Sequence, residues 1–399
     1  MVYAIAFNTP SIIAWWTGIL FIALSIVCIG FMFLLRGRDS FLKNRSQAIA
    51  LKWQTTLNQV TVISKNEFRS KGQDVHRLTP NEKKNLLETL HEQGRFEPID
   101  PIPNQELPDF LFLWNYLHET VFGESKDNLN SLANALDVNQ NAGRMLQSRS
   151  LKNQILAINT LGNLREHTAY EQIERIMLGS DPIISLWAWR ALFRIDFEKT
   201  LQKHLAKIAL REDWSPAFVV KVLLELDSKL ISLPLINLVE ESYQNRLNER
   251  QLSRTISYLS ITHLDLSKSL IHKILTESEE VEVIIACLRL VNSRKSLPRV
   301  RELLKSERWE IRLQVVQTIG RFGLKKDEKL LISALNDLDW WVRYRAATAL
   351  IQMPSMSEER FEKLSTTLPN EFARDILHQV LAEIRLLCYV QPSSSILSR

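Results

Sequence analysis

The stretch DLDWWVRYRAATAL, residues Asp337 to Leu350, contains the pattern on which the fold assignment rests. Val342, Ala346 and Leu350 are spaced by four residues, so they fall on one face of a helix. Two tryptophans and two arginines interrupt that apolar pattern within the same stretch. The stretch is therefore either a binding site or a structural unit, and a repeat elsewhere in the chain would favour a structural unit.

The same apolar face recurs along the chain. Clear copies lie at Ile311, Val315 and Ile319, at Val283, Cys287 and Val291, at Phe218, Val222 and Leu226, and at Ile184, Ala188 and Leu192, with weaker copies that start at Leu252 and Asn153. The starts 153, 184, 218, 252, 283, 311 and 342 are separated by 28 to 34 residues. Such a period fits one helix pair with its turns.

Helix-start signals punctuate this repeat. Asp181-Pro182 and Ser215-Pro216 each place a capping side chain before a proline at the first helical position. One helix pair cannot bury its apolar stripe alone, whereas stacked pairs form a continuous core. The sequence therefore predicts an all-α fold built as an α-solenoid, with irregular helical packing as the alternative.

Composition agrees with an all-α chain. Only 11 of the 399 residues are glycine, and 45% are hydrophobic. Long runs of Leu, Ile, Ala, Glu, Lys and Arg favour helix by intrinsic propensity. The cysteines Cys28, Cys287 and Cys388 lie far apart, and no histidine stands at metal-ligand spacing. We therefore expect no disulfide framework, no metal site and no cofactor.

The N-terminal segment predicts a membrane anchor. The first 35 residues contain no charged side chain, and residues 12–35 form an apolar run of 24 residues. About 20 helical residues span a hydrocarbon core. Trp15 and Trp16 lie at the start of the run, where indole rings favour the membrane interface. A cleaved signal peptide is the alternative, but the basic n-region and the small-residue cleavage site are missing.

Basic residues follow the apolar run directly, namely Arg36, Arg38, Lys43 and Arg45. The positive-inside rule then places the N-terminus outside a bacterial inner membrane and the rest of the chain in the cytoplasm. The cluster also suits anionic lipid. Residues 1–52 carry five basic side chains and one acidic one, which is +4 of the formal net charge of +5. Because the remaining body is nearly neutral, we expect no nucleic-acid partner.

Punctuation along the chain divides it into segments. Four prolines between residues 94 and 109 exclude a helix interior there. The expected segments are an external N-terminus (1–11), a transmembrane helix (12–35), a basic juxtamembrane helical segment (36–93), a Pro-rich linker (94–109), capping helices (110–148), the repeats (149–388) and a flexible tail (389–399).

DLDWWVRYRAATAL resembles the HEAT repeat. Asp337 or Asp339 would be the acidic residue of the turn, and Val342-Arg343 would open the second helix of the pair. SERWEIRLQVVQTIG, residues 306–320, matches the same pattern with Ile311-Arg312. The resemblance covers roughly residues 145 to 385, but only these two copies carry the arginine. HEAT repeats are interaction scaffolds far more often than enzymes, so the resemblance implies a non-catalytic protein that binds protein partners.

The arrangement of span, linker and repeats is similar to that of a narrower group, the bacterial inner-membrane HEAT-repeat proteins that accompany glycosyltransferases of envelope or exopolysaccharide systems. That similarity implies an accessory subunit of a membrane glycosyltransferase. The alternative is a HEAT-like lyase that attaches a bilin chromophore to a protein. The sequence contains no GxSxG, P-loop, HExxH or dinucleotide motif, and His263 and His272 are nine residues apart, too far to share one helical turn.

The tryptophans and arginines of the two best copies occupy equivalent positions, 31 residues apart, and so line up along one side of the array. They either pack repeat upon repeat, with each arginine paired to a turn carboxylate of a neighbour, or contact a partner. Tryptophan and arginine are enriched in interface hot spots. The partner-binding candidates are Trp309, Arg312, Trp340, Trp341, Arg343 and Arg345. Trp341 and Arg345 are the strongest, since other side chains form the core face.

Overall fold

The computed structural model describes residues 47–49, 51–61 and 102–390, with side chains described up to residue 386. The predicted anchor and lipid-proximal residues (Trp15, Trp16, Arg36, Arg38, Lys43 and Arg45), residues 62–101 and the tail from residue 391 lie outside these ranges. Regular secondary structure within the ranges is entirely helical. Among the described helices, none combines the length and the apolar character that a membrane crossing requires.

The chain divides into two compact units, Met1–Leu201 and Gln202–Arg399. The first unit contains α1 (51–61), α2 (Leu107–Thr120), α3 (Glu124–Ala135), α4 (Val138–Met145), α5 (Leu151–Asn163), a 3-10 turn (His167–Ala169), α6 (Tyr170–Met177) and α7 (Pro182–Ile195). Helix α8 (Phe197–His204) spans the division. Helix α5 packs against α2, α4 and α7, so the expected capping helices do cover the first repeat.

Helix α1 packs against the capping helices. The ring of Trp53 meets that of Phe110 edge-on with 4.9 Å between centroids, and its Nε1 donates to Glu106 Oε2 at 3.0 Å. The Asn128 side chain donates to the Val60 carbonyl at 3.2 Å. The described end of the juxtamembrane segment is therefore part of the first unit.

Helix α2 starts at Leu107, two residues inside the stretch expected to be linker. Pro108 lies in its first turn, where the missing N–H has no helical partner to lose. Proline content therefore ended the predicted linker too late, because proline is compatible with a helix start.

The second unit continues the helical pattern. It contains α9 (Lys207–Leu210), α10 (Pro216–Leu224), α11 (Ser228–Gln244), α12 (Glu249–Ser257), α13 (Leu264–Glu277), α14 (Val281–Leu290), α15 (Leu297–Leu303), α16 (Trp309–Phe322), α17 (Glu328–Ala334), α18 (Trp340–Gln352), α19 (Glu358–Thr367) and α20 (Glu371–Val390). Three 3-10 turns, Tyr258–Ile261, Arg294–Ser296 and Lys325–Asp327, lie between them.

Helices α12, α14, α16, α18 and α20 are the second helices of successive pairs, and each packs against the next. The first helices α13, α15, α17 and α19 each pack against the second helix that follows them. The predicted apolar faces at 283, 287 and 291, at 311, 315 and 319, and at 342, 346 and 350 are all buried. The helix pairs predicted from the periodicity are therefore confirmed in this unit.

Two local expectations around α7 and α10 had different outcomes. Asp181 Oδ1 accepts the backbone N–H groups of Ile183 and Ile184, as its capping position predicts. Ser215 makes no side-chain capping hydrogen bond, so that prediction was wrong.

The predicted apolar face of α10 was also wrong. Helix α10 ends at Leu224 and buries Val219, Val222 and Leu223, whereas Phe218 and Leu226 are only half-buried. A helix of nine residues is too short for three positions spaced by four, so its buried face uses a closer set.

Candidate protein-binding surface

The turn before α18 fixes the two adjacent tryptophans. Asp339 is the N-cap of α18, and its Oδ1 accepts the backbone N–H of Trp341 at 2.8 Å. Trp340 and Trp341 are thus the first residues of the helix, where neighbouring turns cover side chains least. Val342 points to the core and is fully buried.

Five large apolar side chains are exposed at these helix starts, and we call them the aromatic edge. They are Trp309 at 39% exposure, Leu338 at 97%, Trp340 at 39%, Trp341 at 52% and Phe372 at 68%. Trp309 and Trp340 are 31 residues apart, as are Trp341 and Phe372. The edge therefore runs across three successive second helices, α16, α18 and α20.

The two central tryptophans differ in how they are held. The Trp340 ring stacks on Tyr344 with 5.2 Å between centroids and 10° between planes. Tyr344 Oη in turn donates to Glu383 Oε2 at 2.7 Å, and this hydrogen bond is the main cause of a raised Tyr344 pKa. Trp341 contacts Trp340 edge-on at 4.8 Å. Trp340 is thus tied to α20, whereas Trp341 presents the more exposed ring.

Arg312 and Arg343 are engaged within the repeats. Arg312 Nη1 donates to the carbonyls of Ser306 and Glu307 at 2.9 and 3.0 Å. Arg343 Nη1 donates to those of Asp337 and Leu338 at 2.7 and 3.1 Å. In both cases the arginine closes the turn that precedes its own helix, six and five residues back. These two side chains stabilise the turns that present the aromatic edge.

Arg312 also joins one repeat to the next. Its Nε and Nη2 donate to the two carboxylate oxygens of Asp337, both at 2.7 Å. Burial alone would raise the pKa of Asp337, but the hydrogen bonds from Arg312 and from the Asp339 N–H, with the arginine charge, hold that pKa below its ordinary value of 3.8. The arginine is therefore paired with a turn carboxylate of its neighbour, which is the packing arrangement that the sequence left open.

A third copy of this turn was missed from the sequence. Arg374 Nη1 donates to the carbonyls of Leu368 and Pro369 at 2.7 and 3.1 Å, again six and five residues back. The Phe372 N–H donates to Asn370 Oδ1 at 2.9 Å, as that of Trp341 does to Asp339. The statement that only two copies carry the arginine was wrong. The 31-residue spacing from Arg343 to Arg374 could have revealed it, but Asn370 in place of aspartate hid the pattern.

Arg345 lies apart from the aromatic edge, one helical turn beyond Trp341 on α18. It lines a polar groove together with Arg289 and Arg321, which come from the two preceding second helices. The six candidate residues thus separate into three groups: exposed tryptophans, arginines that close turns, and one groove arginine. Among the residues that the structure describes, no group of His, Cys, Asp and Glu side chains could hold a metal ion.

Comparison with known proteins identifies the repeats that form this surface. A family model described as HEAT repeats matches residues 272–351, the region from α13 to α18. Residues 272–351 are therefore HEAT repeats, and all three tryptophans of the aromatic edge lie inside them. No curated protein matches the chain. Among solved structures, a crystal structure of an engineered protein from the Northeast Structural Genomics Consortium is 12% identical, covers 86% of this chain and 95% of its own, and has a TM-score of 0.31.

Proposed function

We propose that this protein is a membrane-anchored, non-catalytic scaffold that binds a partner protein through the aromatic edge. One observation carries the proposal: five large apolar side chains are exposed on consecutive copies of one repeat position. Contiguous exposed apolar surface marks interaction sites, and tryptophan is the residue type most enriched among binding hot spots. HEAT repeats supply the rigid framework that such a surface needs.

Trp341 is the residue expected to contribute most to this contact. Its ring is half-exposed and lies between Leu338 and Phe372, and its removal leaves the core residue Val342 in place. Arg312 and Arg343 act indirectly in this proposal, because their guanidinium groups already hold the turns. Trp309 and Trp340 extend the surface, while Trp340 also stacks on Tyr344.

The membrane part of the proposal rests on the N-terminal sequence. The apolar run 12–35, its tryptophans and the basic cluster that follows it support a single-pass inner-membrane anchor with cytoplasmic repeats. The finer proposal is that the partner is a membrane glycosyltransferase of an envelope or exopolysaccharide system. Its support is the similar order of span, linker and repeats. No observation on the described residues favours the chromophore lyase.

The test compares Trp341→Ala with a matched control, Leu266→Ala. Leu266 is 58% exposed in the first turn of α13, in the same unit but outside the aromatic edge. Each full-length variant is purified from gently solubilised membranes after in-cell cross-linking, and the attached proteins are quantified by mass spectrometry. We expect Trp341→Ala to lose the partner and keep the thermal midpoint of the wild type, while Leu266→Ala keeps both. A large loss of stability in Trp341→Ala would show instead that the ring is a packing element.

A further inference from the structure

A second surface of the same unit has a different chemistry. A groove of about 370 Å³ crosses α14, α16 and α18. Its polar lining includes three arginines and three glutamines, Arg289, Arg321, Arg345, Gln314, Gln317 and Gln352. No carboxylate is among the lining residues in the described part of the chain. The groove therefore combines positive charge with amide groups that can donate and accept hydrogen bonds.

The groove arginines differ from the other arginines of this region. Arg301, Arg312 and Arg360 each form an ion pair with a carboxylate at 2.6 to 2.7 Å. Arg321 donates to the carbonyls of Arg289 and Leu288, at 3.0 Å each. Within the described residues, neither Arg289 nor Arg345 pairs with a carboxylate.

The nearest acidic side chain along the array is already engaged. Glu383 stands one repeat beyond Gln352, and it accepts hydrogen bonds from Tyr344 at 2.7 Å and Gln379 at 2.9 Å. The chain thus leaves the charge of this groove without a counterpart of its own. A ligand with carboxylate groups would supply one.

The first unit shows how the same repeat positions accommodate a carboxylate. Arg190 and Arg194 stand six and ten residues after Ile184, as Arg289 and Arg321 stand after Val283 and Ile311. Both donate from Nη1 to Glu119 Oε1, at 3.1 and 3.4 Å. One carboxylate therefore bridges two arginines at these positions in the first unit.

We propose that the groove binds an acidic segment of a partner protein in extended conformation, with carboxylates on every third residue that pair with Arg289, Arg321 and Arg345. The spacing follows from geometry. Packed helix axes lie about 8–10 Å apart, and an extended chain rises about 3.3 Å per residue. One step from helix to helix thus takes about three residues, and each of the three helices contributes one arginine.

The lining favours a peptide over nucleic acid. The glutamine amides can bond both the N–H and the C=O groups of an extended backbone, and guanidinium pairs well with carboxylate. No aromatic ring is among the lining residues on which a base could stack, and residues 53–399 carry a net charge of only +1. The proposal concerns a different surface from the aromatic edge, so either one can fail alone.

The test measures fluorescence anisotropy of labelled synthetic peptides with the full-length protein in mild detergent. One peptide has three glutamates spaced by three in a serine background, a second has the same residues with the glutamates adjacent, and a third has glutamine for glutamate. The double variant Arg289→Gln/Arg345→Gln is compared with Lys305→Gln, which removes an exposed charge outside the groove. Unchanged thermal midpoints establish that the variants are folded.

We expect the spaced peptide to bind best and the double variant to weaken it about tenfold or more, since hydrogen bonds to charged groups are the strong ones. Lys305→Gln and Trp341→Ala should bind this peptide like the wild type. Equal binding of all three peptides, or of the wild type and the double variant, would overturn the proposal. So would binding of duplex DNA or phosphatidylserine vesicles that depends on the two arginines while the peptides do not bind.

Discussion

Arg312 and Asp337 form two parallel hydrogen bonds of 2.7 Å that join α16 to the turn before α18. Their side chains are 14% and 10% exposed, so the pair is largely shielded from water. Arg312 also closes the turn before its own helix, and Asp337 accepts the N–H of Asp339 at 2.9 Å. One ion pair thus connects two successive turns that present Trp309 and Trp341.

Removal of either partner of this pair should destabilise the second unit. We expect Asp337→Ala to lower the free energy of unfolding by about 2–3 kcal/mol, because it leaves a half-buried guanidinium without its carboxylate. Arg312→Ala should have a similar effect, and the double variant should lose less than the sum of the two. Urea unfolding measures all three. The exposed pair Lys268–Asp265 is the control, and Lys268→Ala should leave stability unchanged.

The same carboxylate predicts a pH dependence. Because the folded-state pKa of Asp337 lies below its ordinary value of 3.8, its contribution is fully present above pH 3.8 and lost as pH falls through the folded value. The stability difference between the wild type and Asp337→Asn should therefore be constant near neutral pH and shrink below about pH 4. Urea midpoints at several pH values test this. A difference that persists unchanged in strong acid would contradict an ionised Asp337.

His118 in the first unit should act at higher pH. Burial, followed by the charges of Lys126 and Arg194, lowers the His118 pKa from 6.5 to about 3. Its ring stacks on Trp114 with 4.7 Å between centroids. The unfolded chain gains the proton below pH 6.5 while the folded chain stays neutral, so stability falls from pH 6.5 towards about pH 3. The slope reaches at most about 1.4 kcal/mol per pH unit.

His118→Phe should keep the stacking and remove this slope. Denaturant unfolding of the variant and the wild type between pH 7 and pH 4 is the measurement. Two parallel stability curves would contradict a neutral, buried His118.

Two glycines should be intolerant of a methyl group. A Cβ on Gly320 would come within 2.7 Å of the Ala349 Cβ, and one on Gly162 within 2.9 Å of the Ala191 Cβ. Both glycines stand nine residues after their repeat start, and both alanines seven. We expect Gly320→Ala to lower the free energy of unfolding by about 1–3 kcal/mol, because neighbouring second helices must separate.

Gly143→Ala is the matched control for this substitution. Gly143 lies inside α4, and a methyl group added there would meet no neighbouring element within 4 Å. The variant should gain up to about 1 kcal/mol from helix propensity. If Gly320→Ala were equally stabilising, α16 and α18 would not approach as closely as the structure shows.

Sequence reasoning reached the elements whose information is local. The spacing of Val342, Ala346 and Leu350 was enough to predict a buried helix face, and with that face assigned Trp341 had to point outward. The pairing of an arginine with a neighbouring turn carboxylate was one of two open alternatives, and the distances at Asp337 resolve it. The aromatic edge was predicted in part: its tryptophans were named, whereas Leu338 and Phe372 were not.

Features that depend on three helices at once could not be predicted. Arg345 was expected to contact a partner beside Trp341, but its position with Arg289 and Arg321 depends on how α14, α16 and α18 stack. The close approach of Gly320 to Ala349 likewise requires an interhelical distance that no single helix encodes. The short α10 shows the converse limit, because periodicity alone extended its apolar face past the helix end at Leu224.

The most direct test of the central claim places a photo-activatable cross-linking amino acid at position 341 of the full-length protein in living cells. The same amino acid at position 266 serves as the control, because Leu266 is 58% exposed outside the aromatic edge. We predict one defined protein partner cross-linked from position 341, absent from position 266, and lost when Leu338 and Phe372 are replaced by serine. Equal products from both positions, or no product from position 341 while partners attach only to residues 36–93, would contradict binding through the aromatic edge.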